Sequence, residues 1–226
     1  GNIVNLTLSG RTLYKDGAWN TLCLPFNVTL NGSPLEGAIA RPLTEAGISG
    51  TTLNLTFGDA VTELVAGTPY IIKWENGDNI VSPVFEGVTI DAAGRSYDTA
   101  LKNVTTDQRV RFVGTYNSTA FTAADRSILL MDGGNKLYYP TAGGGIGAQR
   151  AYFKIGDDGA TPAKKLTAFN IDFDEDGDVT GIISVSEWPE SKGAGDGWYN
   201  FDGRQLTGKP SQGGVYINNG RKVFIK

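Results

Sequence analysis

The chain is 226 residues long, with 40% hydrophobic and 19% charged residues, one cysteine and no histidine. That composition excludes a disordered acidic tail, a disulfide scaffold and every mechanism that needs an imidazole. Twenty Lys and Arg against 24 Asp and Glu leave a formal charge of −4, and no basic block is interleaved with aromatics, so a nucleic-acid partner is not expected.

Val, Ile and Thr fall in short runs separated by Gly, Asn, Asp or Pro, and no long segment has a 3.6-residue apolar period, which predicts an all-β chain. Val4, Leu6 and Leu8 alternate with Asn5 and Thr7, a half-buried strand that turns at Ser9-Gly10. Further runs follow at Thr21 to Val28, Ala38 to Leu43, Thr52 to Phe57, Tyr70 to Trp74 and Val84 to Ile90. Pro25 marks an edge or a bulge within the first of these. Cys23, between Leu22 and Leu24, reads as a small buried hydrophobe. Val110, Phe112, Gly114 and Tyr116 share one parity and Arg109, Arg111 and Thr115 take the other, a strand with one wet face. Thr122 to Arg126 fits a short helical turn capped by Thr122.

Ser127 to Met131 and Lys136 to Tyr139 bracket Asp132-Gly133-Gly134-Asn135, which predicts a hairpin. Gly143-Gly144-Gly145 reads as a mobile surface loop. It is no nucleotide loop, because Ala148-Gln149-Arg150 stands where Gly-Lys-Ser/Thr is needed. Alternation resumes at Ala151, Phe153 and Ile155, then at Leu166 to Phe173, and ends with Ile182, Ile183 and Val185. Two antiparallel sheets packed face to face are expected, a jelly-roll-like β-sandwich over residues 1–188. A linker at 189–197 and a small β appendage at 198–226 follow. An appendage of that size buries too little to stand alone, so it docks on the large domain or needs a partner. No apolar run is long enough to span a bilayer as a helix, and the opening Gly1-Asn2-Ile3-Val4 reads as a cut within a longer protein.

Three stretches carry candidate chemistry. Trp74-Glu75-Asn76-Gly77-Asp78-Asn79 sets an indole beside a polar turn, a platform on which a sugar ring stacks while Asn76 and Asp78 bond its hydroxyls. The competing assignment for Trp74, as for Trp19, Trp188 and Trp198, is a cover on the rim of a sandwich core. Asp172, Asp174, Asp176 and Asp178 alternate up to and around Gly177 and offer hard oxygen ligands to calcium. An EF-hand is excluded because Ile183 stands at the twelfth position, which leaves a calcium-binding β-turn or a solvated acidic hairpin. Glu36, Glu45, Asp59, Glu63, Glu75 and Glu86 are available for a glycosidase pair, which meets in space rather than in sequence. Asn-x-Thr/Ser triplets at Asn5, Asn27, Asn31, Asn54, Asn103 and Asn117 read as strand composition.

Trp19-Asn20-Thr21-Leu22-Cys23-Leu24-Pro25-Phe26, Ala66-Gly67-Thr68-Pro69-Tyr70-Ile71-Ile72-Lys73-Trp74, Asn135-Lys136-Leu137-Tyr138-Tyr139-Pro140 and Arg150-Ala151-Tyr152-Phe153 resemble a module of large surface or secreted proteins of Bacteroides and Prevotella relatives. Those proteins often carry leucine-rich or immunoglobulin-like repeats upstream and are described as adhesins. Trp198-Tyr199-Asn200-Phe201-Asp202-Gly203-Arg204, Gly214-Val215-Tyr216-Ile217 and Asn219-Gly220-Arg221-Lys222-Val223 resemble a type IX secretion sorting tail, although shorter than usual. Asp98-Thr99-Ala100 resembles the O-glycosylation acceptor of these bacteria, with Thr99 as the modified residue.

The resemblance implies a non-enzymatic module, exported to the cell surface, the outer membrane or the medium. Its partners would be a host or bacterial surface glycan or protein and, through the tail, the export machinery. The alternatives are a carbohydrate-binding module on Trp74 and a glycoside-active enzyme with a carboxylate pair.

Overall fold

The computed structural model describes residues 2–91, 101–104, 110–121, 125–140, 143–156, 166–172, 180–184, 198–200, 205–206, 208–218 and 221–225. Thr122, Thr99, Asp174, Asp176, Asp178, Trp188 and the 189–197 linker lie outside them. Every regular element among the described residues is a strand. Two units separate, Gly1–Ser186 and Glu187–Lys226.

Six strands form the first sheet of the large unit, in the order Thr180–Ser184, Ala168–Asp172, Thr52–Phe57, Ile39–Ser49, Pro69–Lys73 and Asn20–Cys23. The second sheet orders Leu101–Val104, Val110–Thr115, Arg150–Ile155, Ile128–Met131 and Leu137–Tyr138. Period-two alternation turns Leu53, Leu55 and Phe57 inward and leaves Thr52, Asn54 and Thr56 half-buried on the other face. Residues of both sheets share this central core. Phe112 stacks on Phe153 with ring centroids 4.7 Å apart and meets the edge of Phe57 at 6.1 Å. Burying each such side chain contributes roughly 1.5–3 kcal/mol.

The expected sandwich is therefore present, but two layers do not describe it fully. Pro69–Lys73 is buried on both faces: Ile71 joins the central core while Tyr70 and Ile72 join a second one. That second core lies beneath the ribbon of Ile3–Thr7 paired with Val84–Thr89, which supplies Phe85 and Val88. A third core, with Val113, Leu130 and Tyr152, is covered by Phe121 and by Ile146. Ile146 comes from the two-residue pairing of Thr119–Ala120 with Gly145–Ile146. This cover corrects the wet face expected for the strand at Val110–Thr115, where Val113 and Thr115 are buried. It also corrects the mobile glycine loop. A Cβ on Gly145 would stand 2.8 Å from the Thr119 carbonyl oxygen, so that position is glycine because another backbone passes against it, while Gly143 takes a left-handed turn at φ 77°.

Two other expectations need adjustment. The apolar run Thr21 to Val28 is not one strand: Asn20–Cys23 stops before Pro25, and Val28–Thr29 pairs separately with Glu63–Leu64. The sheets are not wholly antiparallel, since Ala168–Asp172 runs parallel to Thr52–Phe57 with Asn170 in register with Asn54. A parallel pair needs a long crossover, and the chain that builds the second sheet provides it. The hairpin expected at Asp132–Asn135 is present, with Leu130 opposite Tyr138 and Met131 opposite Leu137. Cys23 is buried as expected.

In the smaller unit, Gln205–Leu206, Trp198–Asn200, Gly214–Asn218 and Arg221–Ile225 form one antiparallel sheet in that order. None of its described side chains is buried. Tyr216 closes its own turn by donating from its hydroxyl to the Gln212 carbonyl at 3.0 Å.

Candidate functional site

The strand Pro69–Lys73 ends where Lys73 and Trp74 turn to opposite faces. Trp74 enters the second core and is 3% exposed. Its indole N–H donates to the Glu36 carbonyl at 3.0 Å, and its own carbonyl accepts from the Gly17 N–H at 2.9 Å. The Lys15 ammonium lies 5.5 Å from the ring centroid, and the Lys15 N–H donates to the Asn79 side-chain oxygen at 2.9 Å. Lys73 places its ammonium 5.1 Å from the Trp19 ring and pairs with Glu75 at 3.3 Å.

This geometry corrects the stacking platform. Asn76 and Asp78 are exposed at the turn, but the indole is enclosed and its one donor is satisfied, so it presents no open face to a sugar ring. Trp74 seals a core end, the rim-cover assignment. The reason was hidden from local sequence, because the enclosing groups come from Lys15, Gly17 and Glu36.

The Asp132–Asn135 turn is a second convergence of polar groups. Asp132 accepts from the Gly134 and Lys136 N–H groups at 2.8 and 2.9 Å. Asn135 adopts φ 60° and accepts from the Trp19 N–H at 2.7 Å. Beside it Tyr138 has its pKa pushed above the ordinary tyrosine value, chiefly by burial and then by Asp132, with Arg150 opposing.

The candidate acids Glu36, Glu45, Asp59, Glu63, Glu75 and Glu86 are all exposed or half-buried at separate turns and strands. Of the calcium candidates Asp172 alone is described, half-buried at the end of its strand.

One surface carried no local signal. On the outer face of the six-stranded sheet, Gly47, Asn54 and Asn170 form a row across three strands. Glu45, Thr56 and Asp172 form the row on one side of it, and Ser49, Thr52 and Ala168 the row on the other. The Asn170 Oδ1 is buried and accepts no hydrogen bond. Finding this array requires knowing that residues about 115 positions apart lie side by side, a pairing that only the parallel register reveals.

Compared with family models, curated proteins and solved structures, the chain matches none.

Proposed function

We propose that the chain is a non-enzymatic module of an exported protein, a stiff platform with an adhesive or structural role, and that its C-terminal unit serves sorting or anchoring. The observation behind this reading is how the polar groups nearest the candidate sites are used. Trp74, Asn79 and Asn135 each tie one loop to another, and Asp132 is spent on closing its own turn. Groups held this way stiffen a scaffold and are withdrawn from substrate. The resemblance to surface proteins supplies the compartment and the class of partner, a glycan or protein of a host or bacterial surface.

The test is surface display in a Bacteroides host of the chain with and without residues 187–226. Loss of display with normal amounts of folded protein inside the cell is the expected result, and unchanged display refutes the sorting role.

Calcium belongs to the same proposal, with Asp172, Asp174, Asp176 and Asp178 as ligands that would stiffen the turn after Ala168–Asp172. Calorimetric titration should give heat with the wild type and none with Asp174→Asn. Absence of heat from the wild type at millimolar calcium ends the idea.

A further inference from the structure

We propose that Asn76 is a site of spontaneous covalent modification, at which the Gly77 backbone nitrogen displaces the side-chain amide and the lengthened backbone that results loosens the loop enclosing Trp74. In an Asn-Gly pair the side-chain carbonyl carbon and the next backbone nitrogen lie within reach of ring closure, and the second residue has no side chain to keep them apart. The chain holds Asn31-Gly32, Asn76-Gly77 and Asn219-Gly220, and the last lies outside the described residues.

The first two pairs are both exposed, and the backbone around them decides between them. The turn at Asn31 is closed. There the Leu30 carbonyl accepts from the Ser33 N–H at 3.3 Å and from the Ser33 hydroxyl at 2.8 Å, and the Asn31 carbonyl accepts from the Thr29 hydroxyl at 3.2 Å. From Glu75 to Asp78, by contrast, no backbone group takes part in a hydrogen bond among the described residues, so Asn76 reaches the attack geometry without breaking one. Gly77 stands at φ 135°, and a Cβ there would lie 3.0 Å from the Lys15 side chain. The turn itself therefore demands the residue that leaves the nitrogen unshielded.

The reaction needs only water. With its proton lost to solvent base, the Gly77 nitrogen adds its lone pair to the Asn76 side-chain carbonyl carbon; the bond from that carbon to the side-chain nitrogen breaks, and ammonia leaves after a proton is taken from water. Water then opens the resulting succinimide at either carbonyl. Opening at the former side-chain carbonyl leaves aspartate. Opening at the main-chain carbonyl leaves isoaspartate, whose backbone runs through the old side chain and is one carbon longer. Both products add a negative charge between Glu75 and Asp78. Only isoaspartate lengthens a bridge pinned at both ends, where the Trp74 carbonyl accepts from the Gly17 N–H and the Asn79 side-chain oxygen accepts from the Lys15 N–H, each at 2.9 Å. The extra carbon strains those two bonds, which hold Lys15 and Gly17 beside Trp74. The proposal goes beyond the module reading and is independent of the compartment in which the protein works.

The test is to age the full chain in mildly alkaline buffer, folded and in strong urea, and to follow Asn31 and Asn76 in separate fragments by peptide mass spectrometry with isoaspartate detection. In the folded protein Asn76 should gain about 1 Da, with isoaspartate among the products, about 5-fold or more faster than Asn31, the factor that one turn-closing hydrogen bond represents. In urea, where neither turn persists, the two rates should converge. Hydrogen exchange at the Lys15 and Gly17 amides should be faster in the aged protein than in the fresh one. Fresh Asn76→Asp, which has the charge without the extra carbon, should exchange there like fresh wild type, and Asn76→Gln should show no such acceleration on ageing. Conversion of Asn31 as fast as that of Asn76 in the folded protein overturns the proposal, as does a rate ratio that urea leaves unchanged. Unaltered exchange at Lys15 and Gly17 after isoaspartate has formed overturns the loosening.

Discussion

Asn135 holds two conditions at once: a left-handed backbone at φ 60° and an acceptor 2.7 Å from the Trp19 N–H. Asn135→Gly keeps the first and loses the second, and Asn135→Ala loses both. Urea unfolding should show losses of about 1 and about 2 kcal/mol respectively, and equal losses would mean that the backbone conformation contributes nothing. Trp74→Ala should cost about 3–5 kcal/mol, a penalty that an exposed stacking residue would not show. Tyr138 has a folded pKa raised by burial above its unfolded value. Its contribution is complete below the ordinary tyrosine range and is lost as pH rises through the raised value. Wild-type stability should therefore fall more steeply in alkali than that of Tyr138→Phe. At this scale the sequence showed that an indole ends a strand, but not that Lys15, Gly17 and Glu36 close around it, since those residues lie 38 to 59 positions away.

Strands were legible wherever one face is wet. Thr52–Phe57 alternates cleanly, and the Asp132–Asn135 turn announces its hairpin. The strands at Pro69–Lys73 and Val110–Thr115 were legible too, but not that both their faces are covered: the first has no period to show that it serves two cores, and the second conceals a third. Two-residue pairings such as Thr119–Ala120 with Gly145–Ile146 are too short to carry a period at all. Gly145→Ala tests what that pairing does. The added methyl meets the Thr119 oxygen at 2.8 Å, so the variant should lose about 1–3 kcal/mol and should speed hydrogen exchange at Phe121 and Tyr152 more than at Phe57. Uniform acceleration across all three would mean that the cover and the central core open as one.

For the whole molecule, the three apolar cores draw all their members among the described residues from the first 171 positions. A chain ending at Ser186 should therefore unfold cooperatively within a few degrees of the full-length midpoint. A loss of cooperativity would show that the second unit completes the first. The all-β class was readable from composition and punctuation. The parallel register was not, because it joins positions that only the finished topology brings together.

That register has a kinetic corollary. Thr52–Phe57 has its antiparallel neighbour, Ile39–Ser49, at once, yet its other edge waits for Ala168–Asp172. While the intervening hundred or so residues emerge during synthesis, that edge offers bare amides and carbonyls to any passing strand. No charge or proline along Thr52–Phe57 discourages such accidental partnerships, so the interval before its parallel neighbour arrives is when the unfinished chain is most prone to stick to its siblings.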